Sequence, residues 1–214
     1  MSRISLDHLN KNQKKTLLLL RDFFSREGIL SGGTALMLQY CLRKSYDLDL
    51  FFPYHIPDSF SRLASGIFKP GFKIIIDNAD ELSFIADDEV KVSFIYFPFN
   101  RKYKTLQHDT ISISSFKDIA SDKAYAIGRR PAYRDYLDLF IILREGFPID
   151  QIIIDAKEKF AGEFSDKLFL SQLVYFDDIK DFTIDFIGKE YKKEEVFSFF
   201  QKQIKIYKNS RFLQ

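Results

Sequence analysis

Two carboxylates one residue apart inside an apolar run constrain this chain more than any other feature. Asp47 and Asp49 sit in YDLDLFF, residues 46–52, whose alternation otherwise reads as a β-strand. Side chains two apart on a strand share a face, so these charges repel at close range. Burying them is costly unless something positive lies between them. If the strand is buried, something positive has to sit between them.

Upstream, the sequence SGGTAL joins a short apolar segment, 29–31, to a stretch with helical character, 34–42. A glycine pair leading into a helix exposes backbone N–H groups with no Cβ in the way, which makes a phosphate cradle of Gly32, Gly33 and Thr34. Thirteen residues separate Gly33 from Asp47. A phosphate cradle beside a two-carboxylate site is the physical requirement for phosphoryl or nucleotidyl transfer. Mg²⁺, or Mn²⁺ in its place, would take the carboxylates of Asp47 and Asp49 plus substrate phosphates. Alone, Gly-Gly is more often a plain turn and Asp-x-Asp a solvated strand face. Their order and spacing together carry the assignment.

The remaining pattern divides the chain in two. Residues 5–27 read as a helix stopped by Gly28, 29–31 as a strand, and 34–42 as a helix. A strand over 46–52 is followed by a loop marked by Pro53 and Pro57 and a helix over 58–67. Strands follow at 72–77, 81–86, 90–97 and 110–114. From Ser115 the pattern is helical: 117–130, 132–146, and about three more helices. The expected class is α+β, with a mixed α/β region over 1–114 and an all-helical region over 115–214.

Composition narrows the function classes. A hydrophobic content of 46% and an aromatic content of 16% support a core and exclude disorder. A net charge of +2 excludes a polyanion binder acting by bulk charge. Cys41, the single cysteine, excludes an internal disulfide and a cysteine-rich zinc site, fits a reducing cytoplasm, and is expected in the core. The polar, charged start is no signal peptide, and the leucine run at 16–20 is too short for a bilayer, so no membrane association is expected. His8, His55 and His108 have no metal spacing. The lysine-rich stretch 192–211 reads as the wet face of an amphipathic helix, with RNA contact as the other reading.

Lys123 interrupts an apolar stripe, Ile119-Lys123-Ile127, and either snorkels to solvent or aims at an anion. Arg134 is spaced to pair with Asp138 one turn on. Such a pair is ordinarily a surface contact worth little; the other reading gives Arg134 and Asp135 an active-site role.

The fuller motif, SGGTAL followed by Arg43-x-Ser45-x-Asp47-x-Asp49-x-Phe51, resembles the AbiEii/AbiGii-type toxin nucleotidyltransferases of abortive-infection toxin–antitoxin systems, within the polymerase-β-like nucleotidyltransferase superfamily. DIASDKAYAIGRRPAYRDYLDL, 118–139, is similar to that family's lysine helix and its R-D-x-x-D-L helix. The likeness covers residues 28–145. It implies a polymerase-β-type nucleotidyltransferase core, a small mixed sheet flanked by helices, followed by a helical half. It implies Mg²⁺-dependent transfer of a nucleotide from an NTP to an acceptor, tRNA in some members or else a protein, and a cognate antitoxin. On this resemblance Gly32, Gly33 and Thr34 hold triphosphate and Asp47 and Asp49 hold the metal. Arg43 and Ser45 orient the Asp pair or touch phosphate, Lys123 contacts the nucleotide, and Arg134 and Asp135 line its site. The superfamily usually carries a third carboxylate on a later strand. The alternation of 90–97 puts Ser93 in that place, with Asp87, Asp88 and Glu89 just before the strand. Two readings stay open: an active nucleotidyltransferase, or a catalytically lapsed relative that binds nucleotide or a partner protein.

Overall fold

Ser31, Gly32 and Gly33 turn a strand directly into a helix, and a sheet is assembled around that junction. The computed structural model describes residues 4–86, 89–127 and 129–212. Asp87 and Asp88, considered above as nearby acids, lie outside the described residues. Contacts divide the chain into two units, Met1–Asn100 with Lys104–Ser115, and Arg101–Tyr103 with Phe116–Gln214.

In the first unit, strands β1 (Ile29–Ser31), β2 (Leu48–Phe52), β3 (Lys73–Asp77), β4 (Glu81–Ile85), β5 (Lys91–Tyr96), β6 (Leu106–His108) and β7 (Ile111–Ile113) form a sheet ordered β3-β4-β5-β2-β1-β7-β6. The sheet is mixed: β2 runs parallel to β5 and β1 to β7, while the other pairs are antiparallel. The helices are α1 (Lys11–Leu19), α2 (Arg21–Phe24), α3 (Gly32–Tyr40) and α4 (Asp58–Phe68).

Strand alternation sorts this sheet into two different faces. One face carries Leu48, Leu50, Phe52, Leu82, Phe84, Val92 and Phe94, all buried. The Phe94 ring centroid lies 4.4 Å from Phe23 of α2 and 5.9 Å from Phe60 of α4. Each buried phenylalanine contributes about 1.5–3 kcal/mol through apolar area, and each such ring pair adds about 0.5–1.5 kcal/mol. On the other face the ladder sets Ser31 opposite Asp49, Asp49 opposite Ser93, and Ser93 opposite Ser83. A polar row therefore crosses an otherwise apolar sheet, and Ser93 shares the face of Asp49 as the alternation of 90–97 requires.

Four local expectations change. Residues 5–27 are not one helix but a 3-10 turn, Leu6–His8, followed by α1 and α2. Asn10 starts α1 with a reciprocal capping box to Gln13, and Leu20, at φ −80° and ψ 3°, leaves the helical conformation and ends it. α3 begins at Gly32, so the glycines form its first turn instead of preceding it, and Cys41 is a half-buried left-handed C-cap (φ 53°), not a core residue. The strand expected from Tyr46 begins at Leu48, leaving Asp47 outside the ladder. The cause is competition for backbone carbonyls: the Gln13 side chain donates to Ser45 and Tyr46, and the Thr34 hydroxyl donates to Asp47. Strand β6 has too short a pattern to be expected and is held by pairing with β7.

The second unit contains α5 (Phe116–Ile127), α6 (Tyr133–Arg144), α7 (Ile149–Phe160), α8 (Asp166–Gln172) and α9 (Lys193–Phe212). α5 packs on α6 and α7, and α6 on α9. α9 includes most of the lysine-rich stretch. It buries Val196, Phe200, Ile204 and Tyr207 at helical spacing and exposes Lys202, Lys205 and Lys208, which makes it an amphipathic helix with a wet face. Among the described residues, no helix is long and apolar enough to cross a membrane.

Candidate active site

β1 delivers Ser31 in extended conformation to the N-cap of α3, but its hydroxyl makes no capping hydrogen bond. That oxygen is buried without a partner. Gly32 follows at φ +67°, a left-handed value that favours glycine. No side chain from the cap occupies the first-turn amides of α3, which is where a helix binds anions. Asp49 stands beside this turn, since a Cβ on Gly32 would lie 3.0 Å from its Oδ2. The space a side chain would fill at Gly32 is therefore left open against a carboxylate.

The segment from Cys41 to Asp47 carries the other predicted groups. A Cβ on Gly33 would meet an Arg43 guanidinium nitrogen at 2.6 Å and Ser45 Oγ at 2.8 Å. Arg43, buried, also donates to the Lys44 carbonyl at 3.1 Å. The Ser45 amide donates to Met37 Sδ at 3.3 Å, and Gln13 grips the Ser45 carbonyl at 2.8 Å. Thr34 ties the Asp47 carbonyl to α3. Gly32, Gly33, Thr34, Arg43, Ser45, Asp47 and Asp49 thus gather around one strand-to-helix turn. Register fixes the face of Asp49 but not that of Asp47, which precedes the ladder.

This donor set suits a hard divalent cation. Asp47 and Asp49 offer carboxylate oxygens, and both are half-buried. Among the described residues, no three His, Cys, Asp or Glu side chains converge into a complete protein-only metal cluster. Two carboxylates beside an open helix N-terminus would suit a divalent cation that takes further ligands from a substrate.

In the second unit, Lys123 lies buried on α5 between two carboxylates of α6, Asp135 at 2.6 Å and Asp138 at 2.7 Å. Arg130 adds a fork on Asp135, at 2.7 and 3.1 Å. Burial pushes the Asp135 carboxyl up, but Lys123 and Arg130 outweigh it and hold the group down to about 2. Arg134 is exposed, and the cation on Asp138 is Lys123, not the Arg134 expected from spacing. The ammonium of Lys123 does not snorkel. A second buried network joins Lys159 to Asp118 (3.2 Å) and Asp122 (2.8 Å). Asp118 also accepts from the amides of Lys102 and Tyr103, which ties that short segment to α5.

Residues 18–207 match the family model described as nucleotidyl transferase AbiEii toxin, type IV TA system. The chain belongs to the AbiEii nucleotidyltransferase toxin family. The uncharacterized protein aq_aa25 of Aquifex aeolicus (strain VF5) is 32% identical over 215 residues, covering 93% of this chain and 97% of that protein. Among solved structures, JHP933 from Helicobacter pylori is 21% identical with a TM-score of 0.55, over 98% of this chain and 97% of its own. MenT4, the nucleotidyltransferase toxin Rv2826c from Mycobacterium tuberculosis H37Rv, is 14% identical with a TM-score of 0.57, over 90% of this chain and 80% of its own. These two likenesses share the fold. As an AbiEii-family protein this chain is a nucleotidyltransferase. Sequence reasoning missed Gln13, Arg130, Glu81 and Ser83 near these groups. The alternation Glu81-x-Ser83 was the one local sign of the last two.

Proposed function

We propose that this AbiEii-family toxin transfers a nucleoside monophosphate from an NTP to a hydroxyl of an RNA acceptor of the tRNA class, in the cytoplasm and under Mg²⁺, with Mn²⁺ as substitute. Its activity is restrained by a cognate antitoxin and serves phage defence. The carrying observation is the opening at Gly32, where the first turn of α3 faces the Asp49 carboxylate across the space of a missing side chain. In this reading the amides of Gly32, Gly33 and Thr34 bind triphosphate oxygens, and Arg43 and Ser45 add charge and a hydroxyl over Gly33. Asp47 and Asp49 hold the cation. When bound, it screens the triphosphate and stabilises charge on the attacking and leaving oxygens. The resemblance also gives Lys123, Arg134 and Asp135 a part in nucleotide handling; within the second unit Lys123 is held by Asp135 and Asp138, and Arg134 is exposed.

The test is incubation of purified protein with each α-³²P-labelled NTP, Mg²⁺, and either bulk tRNA or a protein extract. Label is expected in tRNA and lost with EDTA. Label in protein alone would reassign the acceptor, and no label with any NTP would sink the assignment.

Gly33→Ala gives a separate check. The new methyl would lie 2.6 Å from an Arg43 nitrogen and 2.8 Å from Ser45 Oγ, so both must shift, against a gain in helix propensity of at most about 1 kcal/mol. The expected result is a folded protein with NTP affinity about tenfold weaker, from one displaced charge-assisted contact. Calorimetric titration decides it, and unaltered affinity would remove Arg43 from the phosphate site.

A further inference from the structure

The polar row on the site face does not end at Ser93. Ser93 Oγ lies 2.8 Å from Ser83 Oγ, and Ser83 Oγ lies 2.5 Å from Glu81 Oε1. Both serines are buried, at 0% and 3% exposure, while Glu81 is half-buried and reaches towards solvent. An ionised carboxylate only accepts, so the single proton of Ser83 points at Glu81. Ser83 can then accept only from Ser93, so the Ser93 proton points at Ser83. The chain is polarised in one direction, leaving the lone pairs of Ser93 as its proton-accepting end. That end is the ladder partner of Asp49, on the same face and one strand spacing away, roughly 4.8 Å. Two hydroxyls in a sheet interior add little stability over apolar residues of the same shape, so stability alone does not account for them.

We propose that Glu81 is the proton sink of the site, drawing the proton of the acceptor hydroxyl through Ser93 and Ser83. This rests on the reading of Asp49 given above. As the acceptor oxygen forms its bond to the α-phosphorus, the α–β bridging P–O bond breaks and pyrophosphate leaves with that electron pair. The acceptor proton passes to Ser93 Oγ, the Ser93 proton to Ser83 Oγ, and the Ser83 proton to the Glu81 carboxylate, which returns it to water. Ser93 touches the acceptor; Ser83 and Glu81 act through it as positioning residues.

The experiment measures single-turnover labelling of bulk tRNA by α-³²P NTP, and pyrophosphate release without tRNA, where water is the acceptor. Glu81→Gln keeps an acceptor for Ser83 but cannot take a proton. Its rate is expected to fall about 10²-fold, with NTP affinity and melting temperature unchanged. Ser83→Ala, which cuts the chain, is expected to fall as far. Adding Ser93→Asp to Glu81→Gln puts an acid at the accepting end and is expected to regain about tenfold, a rescue that a merely structural role would not give. Mn²⁺ binding, read by electron paramagnetic resonance, is expected to survive in Glu81→Gln and to weaken in Asp49→Ala. Wild-type rates in Glu81→Gln together with a silent Asp49→Ala would overturn the relay and leave the site standing. A wild-type protein that labels nothing and releases no pyrophosphate would overturn both.

Discussion

Asp49→Ala is expected to abolish nucleotide transfer and, with it, the rise in melting temperature expected of the wild-type protein in Mg²⁺. Asp49 is the one predicted carboxylate whose face is fixed by hydrogen-bonded neighbours on both sides, Ser31 on β1 and Ser93 on β5. Its carboxylate also borders the opening at Gly32. Removing a preorganised group that stabilises transition-state charge costs about 10²–10³ in rate, and loss of a cation ligand adds to that. A ligand that binds only the folded state raises its stability by mass action, so thermal melts in Mg²⁺ and in EDTA report cation binding without any acceptor. The wild-type curves should separate and those of Asp49→Ala should coincide. Asp47→Ala should act in the same direction. Full transfer by Asp49→Ala, or an undiminished Mg²⁺ shift, would remove Asp49 from the cation site.

How much of this was legible in the sequence depended on how local its cause was. The α3 turn and the face shared by Asp49 and Ser93 follow from a glycine pair and from period-two alternation, and both are present in the structure. The start of β2 was not legible. It depends on Gln13, whose side chain bonds Ser45 and Tyr46 from more than thirty residues away. The Glu81–Ser83–Ser93 chain needs the register of β4 against β5, which no pattern within either strand specifies. Cys41 looked like core because its neighbours are apolar, yet it caps the helix they form. In the second unit, helical spacing offered Arg134 to Asp138. Packing of α5 on α6 brought Lys123 there instead, and the connection between these helices brought Arg130 to Asp135. Intrahelical spacing proposes ion pairs, but burial between helices selects among them.

That selection reverses what a methionine should do at position 123. On sequence alone, Lys123→Met fits an apolar stripe at little cost. In the structure it leaves Asp135 and Asp138 buried without the ammonium between them, at 0% and 1% exposure. Breaking a buried pair from one side is destabilising by about 3–5 kcal/mol, so the expected result is a large fall in melting temperature at neutral pH. The pH dependence gives the sign. In the wild-type protein Asp135 is held at about 2, below its ordinary value of 3.8. Its stabilising contribution is therefore fully present above pH 3.8 and is lost as pH falls through 2. Without Lys123, Asp135 loses its largest downward influence and keeps only Arg130 against burial, so its folded-state value rises. The penalty of the broken pair is then full at neutral pH and shrinks as acid neutralises the carboxyl. Urea melts at pH 7 and pH 4.5 should show the variant far below wild type at the first and closer to it at the second. Asp138→Leu added to Lys123→Met should recover stability at pH 7, because it removes one of the stranded charges. A Lys123→Met protein as stable as wild type at both pH values would mean that Asp135 and Asp138 do not hold Lys123 in solution. Its ammonium would then be free to turn to an anion without breaking a buried pair.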